Sequence, residues 1–148
     1  MSSTGECFDI GLTVRQALAD FLRNGEPFAG STNRYSAGNR SMMRLVPVVL
    51  FYFPDAPPIP TFAAASSRTT HAAQEAAECC LVISMVIASA LRGDTKEQVL
   101  QVESTGLIEP KVIAIAQGVY RKKACADIAG SRLYSGFAGS RAVVLPPD

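Results

Sequence analysis

Cys79-Cys80-Leu81-Val82-Ile83-Ser84-Met85-Val86-Ile87-Ala88-Ser89-Ala90-Leu91 is the longest apolar run in the chain, 13 residues that include only Ser84 and Ser89 as polar members. A bilayer span takes about 20 residues. The run is therefore expected to be a core helix inside a folded domain, with no membrane partner. Gln74, Glu75 and Glu78 precede it, where the positive end of a helix dipole favours acceptors and negative charge. Arg92 and Gly93 follow it, a pairing that closes helices. The expected helix covers about 72–91. No stretch alternates polar and apolar residues long enough to make a strand, so the fold expected is all-α, a multi-helix orthogonal bundle packed around this helix.

Working outward, residues 13–24 place Val14, Ala17, Leu18, Phe21 and Leu22 on one helical face. Thr13 can cap the start, and Asn24-Gly25 can stop the end in the left-handed region. Residues 26–40 are rich in Gly, Ser, Asn and Thr, and 15 residues is long for a connection without structure of its own. Ser36-Ala37-Gly38-Asn39-Arg40-Ser41-Met42-Met43-Arg44 then runs into Leu45-Val46-Pro47-Val48-Val49-Leu50-Phe51. Gly38 and Asn39 tolerate positive φ, and Ser41 is a natural cap for a helix over about 41–53. Such a turn presents backbone N–H groups suited to a phosphate, or it is simply a capped turn before a core helix. Pro47 predicts a kink or a late start.

Pro54–Pro60 is expected to be a rigid connector, with a short helix over Thr61–Ser67 after it. Asp94-Thr95-Lys96-Glu97 has capping-box character for a helix to about Val102, and Pro110 opens another through Gln117. Short helical material is expected around Ala124–Ala129. Ser131–Asp148, interrupted by Gly136 and Gly139 and ended by Pro146-Pro147, shows no apolar face.

The totals bound the function. At 148 residues the chain is expected to form a single domain with one real core. It is 48% hydrophobic and 18% charged, unlike a disordered segment. A net charge of +1 argues against a nucleic-acid partner, and Arg121-Lys122-Lys123 reads as a solvated helix end. Four cysteines, Cys7, Cys79, Cys80 and Cys125, show no C-x-x-C spacing. Neither a zinc site nor a disulfide framework follows, and a reduced, cytoplasmic protein without a signal peptide is expected.

The 13 acids are scattered, with no Asp-Asp, Asp-x-Asp or Glu-x-Glu. The pairs Glu6/Asp9, Glu75/Glu78 and Asp94/Glu97 are each explicable as helix-start chemistry. No metal-binding or catalytic carboxylate cluster is assigned. His71 is the single histidine. At the mouth of the 72–91 helix it either caps that helix or orients a polar ligand.

Three stretches taken together, Cys7-Phe8-Asp9-Ile10-Gly11, then Gly30-Ser31-Thr32 leading into Ser36–Arg44, then Ser66-Ser67-Arg68-Thr69-Thr70-His71, resemble the ADP-ribosylglycohydrolase family in order and spacing. The family includes the enzyme that removes ADP-ribose from dinitrogenase reductase. The likeness continues through Ala90-Leu91-Arg92-Gly93 and Ile113–Lys123 and covers roughly residues 7–135, fading where Gly136 and Gly139 fall. It implies an all-α fold and hydrolysis of the glycosidic bond joining ADP-ribose to an acceptor, assisted by two Mg²⁺. It also implies that Gly38, Asn39, Arg40 and Ser41, together with His71, lie against the ADP-ribose. The family's Thr-Asp-Asp cluster and its later Asp-x-Asp cluster have no match here, so the chain looks like the middle of the family domain. The expectation is a chain that binds no Mg²⁺ and is inactive or very weak alone. The alternative is a non-catalytic remnant that binds ADP-ribose or an ADP-ribosylated protein. The family usually has Gly where this chain has Arg40, which either fills that space or offers its guanidinium to a diphosphate. With the outer parts of the domain missing, apolar faces near 41–53 and 72–91 are expected to pair two copies into a homo-oligomer, a two-fold dimer.

Overall fold

The computed structural model describes residues 10–119. Helix α1 spans Leu12–Asn24, and a 3-10 turn covers Arg34–Ser36. Two short helices follow, α2 at Arg40–Met43 and α3 at Val46–Tyr52. Helix α4 spans Pro58–Arg68, α5 Gln74–Arg92, α6 Lys96–Val99 and α7 Pro110–Ala116. The only strand-like pairing among the described residues is an isolated parallel bridge between Ser31 and His71. The fold is all-α.

Helix α5 is the core helix. By length and composition it would also reach across a membrane, but here its apolar surface is divided between two packed layers. On one side Cys80 and Ala88 join Leu45, Val49, Ile59 and Ala63 from α3, α4 and the turn before α3. On the other, Val82 joins Val112 and Ala116 of α7. A helix apolar on most sides is what two layers require. Ser84, fully buried, returns its hydroxyl to the Leu81 carbonyl at 2.7 Å and so needs no outside partner. Burial pushes the Cys79 thiol up to about 12, so it stays protonated and acts as a small apolar group.

The ends of α5 follow local chemistry. Gly93 takes the left-handed conformation (φ 83°) and donates to the Ala90 and Ser89 carbonyls. Gly25 ends α1 in the same way, at φ 75°. The capping box is present but one residue later than expected. Thr95 accepts from the Gln98 N–H while the Gln98 side chain accepts from the Thr95 N–H. Asp94 is drawn off instead by Ser89 and Arg92, and the helix ends at Val99 rather than Val102.

Other expectations are corrected. Gly11 rather than Thr13 occupies the N-cap of α1, and no side chain caps it. Of the predicted α1 face only Ala17 is buried, whereas Leu18, Phe21 and Leu22 are exposed. Periodicity reports an apolar face, not the presence of something to cover it. The 41–53 helix is two helices. Pro47 falls in the first turn of α3, where its missing N–H costs nothing, which is the late start expected. The connector is shorter than expected, because Pro58 and Pro60 open α4 in positions that need no donor.

Glu75 sits in the first turn of α5 as the dipole prefers, whereas Glu78 lies one turn further in and is used elsewhere. Glu75 pairs with Lys111 at 3.3 Å. Glu78, only 4% exposed, accepts from the Ile108 and Glu109 N–H groups at 2.9 and 3.0 Å. Those are free donors at the start of α7, so α5 caps α7 from outside. Cys80, Val82 and Ala88 of α5 are used within the fold, and exposed large apolar residues lie on α1, on α3 (Val46, Leu50 and Phe51), at Met43 of α2, at Phe62 of α4 and at Leu91 near the end of α5. Cys7–Asp9, Tyr120–Lys123, Cys125, the 124–129 helix and Ser131–Asp148 lie outside the described residues.

Candidate functional site

The site begins with a close approach of backbones. Gly30 donates to the Arg68 carbonyl at 3.0 Å, and Ala72 donates to the Ser31 carbonyl at 3.0 Å. The loop after α1 is thereby zipped onto the α4–α5 junction. A Cβ on Gly30 would lie 2.5 Å from the Arg68 oxygen and 2.7 Å from the His71 nitrogen. Only glycine fits, and Gly30-Ser31-Thr32 meets Ser66–His71 for that reason.

This junction carries His71, 2% exposed. Its backbone N–H donates to the Ser67 carbonyl at 2.7 Å, and its carbonyl accepts from the Ser67 hydroxyl at 2.9 Å. Its Nδ1 lies 2.9 Å from the Thr70 hydroxyl. Arg44, arriving from the end of α2, shares Nη2 among the Ser66 carbonyl (2.7 Å), Thr69 Oγ1 (2.9 Å) and Thr70 Oγ1 (2.7 Å). Thr70 is buried and accepts from Arg44. The Thr70 hydroxyl and Nδ1 share one hydrogen bond whose direction follows the tautomer of the imidazole. Nε2 faces Gly38: a Cβ there would lie 3.3 Å from it.

Burial, then the charges of Arg44 and Arg40, hold His71 below its ordinary value of 6.5. The imidazole is neutral at pH 7. Arg44, Thr70 and His71 thus form a short hydrogen-bonded chain that holds a neutral imidazole with Nε2 toward a glycine turn. A neutral imidazole offers one donor and one acceptor nitrogen to polar partners.

The five residues expected at the site divide. Gly38 and His71 come together, and Arg40 contributes its charge to that place. The guanidinium of Arg40 lies over Gly11, where a Cβ would come within 3.1 Å of Cζ and Nε. Asn39 is the N-cap of α2, with its backbone already helical (φ −82°, ψ −1°) and no side-chain capping bond. The turn needs no positive φ at Gly38 or Asn39. The left-handed glycines among the described residues are Gly25, Gly93, Gly106 and Gly118.

Ser41 neither caps nor faces the turn. It is 1% exposed inside α2, and its hydroxyl accepts from Cys80 Sγ at 3.5 Å, a tie of α2 to α5. His71 is not a cap either, because Ala73 holds that position. Arg44, Thr70, Gly30 and Gly11 do work in the site that their residue types alone did not advertise. The only signal was their place inside the stretches that carry the family resemblance.

A cleft of about 610 Å³ lies alongside, walled by Leu12, Arg15, Gln16 and Asp20 of α1 and by Gly30, Ser31, Thr32 and Ser36. Another, of about 520 Å³, opens between the start of α4 and the end of α5. Gly38, Arg40 and His71 line neither. Among the described residues no three His, Cys, Asp or Glu side chains come together to hold a metal. These residues therefore do not fit a pair of Mg²⁺ ions, which needs converging oxygen ligands.

Fold and site together define an all-α protein with a glycine-walled polar site built on a buried neutral histidine. A model of the ADP-ribosylglycohydrolase family matches residues 1–139, and the chain belongs to that family. It is similar to the ADP-ribosylarginine hydrolase Tri1 of Pseudomonas putida (strain GB-1), 33% identical over 130 residues, 88% of this chain and 35% of the relative. The Tri1 hydrolase of Serratia proteamaculans (strain 568) is 31% identical over 132 residues, with the same coverage, 88% and 35%. The chain thus spans about a third of the length of these relatives. A solved chain described as an ADP-ribosylglycohydrolase-related protein complex superposes with a TM-score of 0.67 at 34% identity, covering 77% of this chain and 40% of that one.

Proposed function

We propose that this chain forms an ADP-ribose-binding wall of an ADP-ribosylglycohydrolase domain, with ADP-ribose on an arginine acceptor as the substrate class suggested by the name of its relatives. The observation that carries the reading is the buried neutral His71, tied through Thr70 to Arg44 and set with Nε2 against Gly38. The described residues bind and orient. They supply no group that activates water, so hydrolysis by this chain alone is expected to be negligible.

Calorimetric titration with ADP-ribose tests the binding half. Binding that is weakened at least about tenfold in His71→Ala, the loss of one well-placed buried hydrogen bond, supports the reading. No heat at millimolar ligand rejects it. Incubation with Mg²⁺ and an ADP-ribosylated arginine substrate tests the other half, and turnover at low protein concentration would overturn the non-catalytic reading.

The outward apolar residues of α3, Val46, Leu50 and Phe51, are where a second copy of the chain would pair. Light scattering at micromolar concentration is expected to give a dimer mass that falls to the monomer in Phe51→Ser. A monomer mass for the unaltered chain refutes the pairing.

A further inference from the structure

The loop over residues 26–39 is lightly fastened to the α4–α5 junction. Two backbone bonds tie it there, from Gly30 N–H to the Arg68 carbonyl and from Ala72 N–H to the Ser31 carbonyl, both 3.0 Å. Gly38 then closes over His71, where a Cβ would lie 3.3 Å from Nε2. Between the loop and α1 lies the cleft of about 610 Å³. The loop thus has open space on one side and a 2% exposed imidazole on the other.

That imidazole has no counter-charge among the described residues. The charges that act on it are Arg44 and Arg40, both positive. From α4 and its end it meets Ser67 and Thr70, which are neutral. From the loop it meets Ser31 and Gly38. On α5, Glu75 is paired with Lys111, and Glu78 is turned to the start of α7. A proton added to His71 here would face two guanidinium groups with its hydration lost. The easiest relief is departure of the loop. Helices α4 and α5 are joined by the buried Ile59, Ala63, Cys80 and Ala88, whereas no residue of 26–39 is buried, so the loop is the segment that opens at least cost.

We propose that His71 is a proton-operated latch, whose protonation releases residues 26–39 from the α4–α5 junction and reshapes the cleft between that loop and α1. No ligand is needed for it, so its outcome is independent of the ADP-ribose reading. Once the loop parts, the imidazole reaches water and recovers its ordinary value of 6.5. Below that pH the open form holds a proton that the closed form refuses. The opening equilibrium then grows about tenfold per pH unit until the closed form itself protonates.

Amide hydrogen exchange of the full chain, followed by NMR from about pH 7.5 to about pH 5, tests the latch. Where opening does not depend on pH, exchange slows about tenfold per pH unit as hydroxide falls. At Gly30 and Ala72 the growing open form offsets that decline, so their rates are expected to level off below about pH 6.5. Gly93, bonded within the end of α5, is expected to keep the full slope. His71→Gln cannot titrate in this range, so the levelling is expected to vanish in it, with circular dichroism confirming the fold. The chain holds a single histidine, so its ring signals are unambiguous. In the unaltered chain they and the Gly38 amide are expected to titrate together, with one midpoint below 6.5. A full slope at Gly30 and Ala72 throughout overturns the latch, as does levelling that persists in His71→Gln. Levelling at Gly93 as well reports loosening of the whole chain and overturns it too. A Gly38 amide that does not follow the ring overturns it whether or not the variant folds.

Discussion

Gly30→Ala is expected to destabilise the chain by roughly 3 kcal/mol, the upper end for overpacking in a close-packed interior, and to abolish ADP-ribose binding with it. The added methyl would lie 2.5 Å from the Arg68 oxygen and 2.7 Å from both the His71 nitrogen and the Thr70 carbonyl carbon. All three are backbone atoms, so no rotamer change relieves the clash. Relief requires the loop to part from the junction, which breaks the bonds from Gly30 to Arg68 and from Ala72 to Ser31. The segment displaced is the one that holds His71.

Gly93→Ala is the control. Gly93 has φ 83° with nothing near its missing Cβ, so only backbone strain applies, about 1 kcal/mol. That variant is expected to keep its ligand affinity, because it ends α5 at the far end from His71. Urea melts of the two variants beside the unaltered chain give the comparison. Equal midpoints for Gly30→Ala and Gly93→Ala would show that the close approach at Gly30 is not limiting.

How much of this the sequence disclosed depends on whether the cause was local. The helix stops at Gly25 and Gly93, the Pro110 start of α7 and the late start at Pro47 were readable because one or two adjacent residues decide each. The capping register lies one residue beyond the one its local pattern implies, because Ser89 and Arg92 compete for the Asp94 carboxylate. Local sequence marks Glu78 as a dipole partner because the donors it accepts from, the N–H groups of Ile108 and Glu109, are some thirty residues away in sequence.

Ser41 shows the same limit. A serine after Gly-Asn has cap chemistry, yet the packing of α2 on α5 turns it inward to Cys80. At the site, His71 and Gly38 were legible as polar and turn residues. Their proximity was not, since it depends on Gly30 admitting one backbone against another. Arg44 was legible least of all, because its role consists of reaching across to Thr69 and Thr70.

Removal of the Glu78 carboxylate is expected to be the costliest change away from the site, and it carries a pH signature. Burial raises the Glu78 pKa, but the bonds from the Gln74 side chain and from the Glu109 and Ile108 N–H groups outweigh it and leave the carboxyl below its ordinary value of 4.5. A carboxyl depressed in the folded state stabilises it above the unfolded pKa, and that stability is lost as pH falls through the folded value. The window therefore lies below about pH 4.5. His71 acts in a separate, higher window. Its folded pKa is also depressed, from 6.5, so the folded state resists protonation and its stability declines as pH falls from about 6.5 toward the folded value. Asp94, lowered first by the Ser89 hydroxyl and then by Arg92, shares the carboxylate window. Stability measured from pH 7 downward is thus expected to fall in two stages. Glu78→Ala strands two N–H groups at the start of α7 and is expected to cost roughly 3 kcal/mol at pH 7, near the loss for hydrogen bonds to a charged acceptor. Glu78→Gln keeps one acceptor oxygen, so its cost is expected to be about half that, and it shallows the second stage while leaving the His71 stage intact. Urea midpoints for the three chains at pH 7, 5.5 and 4 decide the matter. If Glu78→Gln matches the unaltered chain at pH 7, the carboxylate is not what fastens α7 to α5.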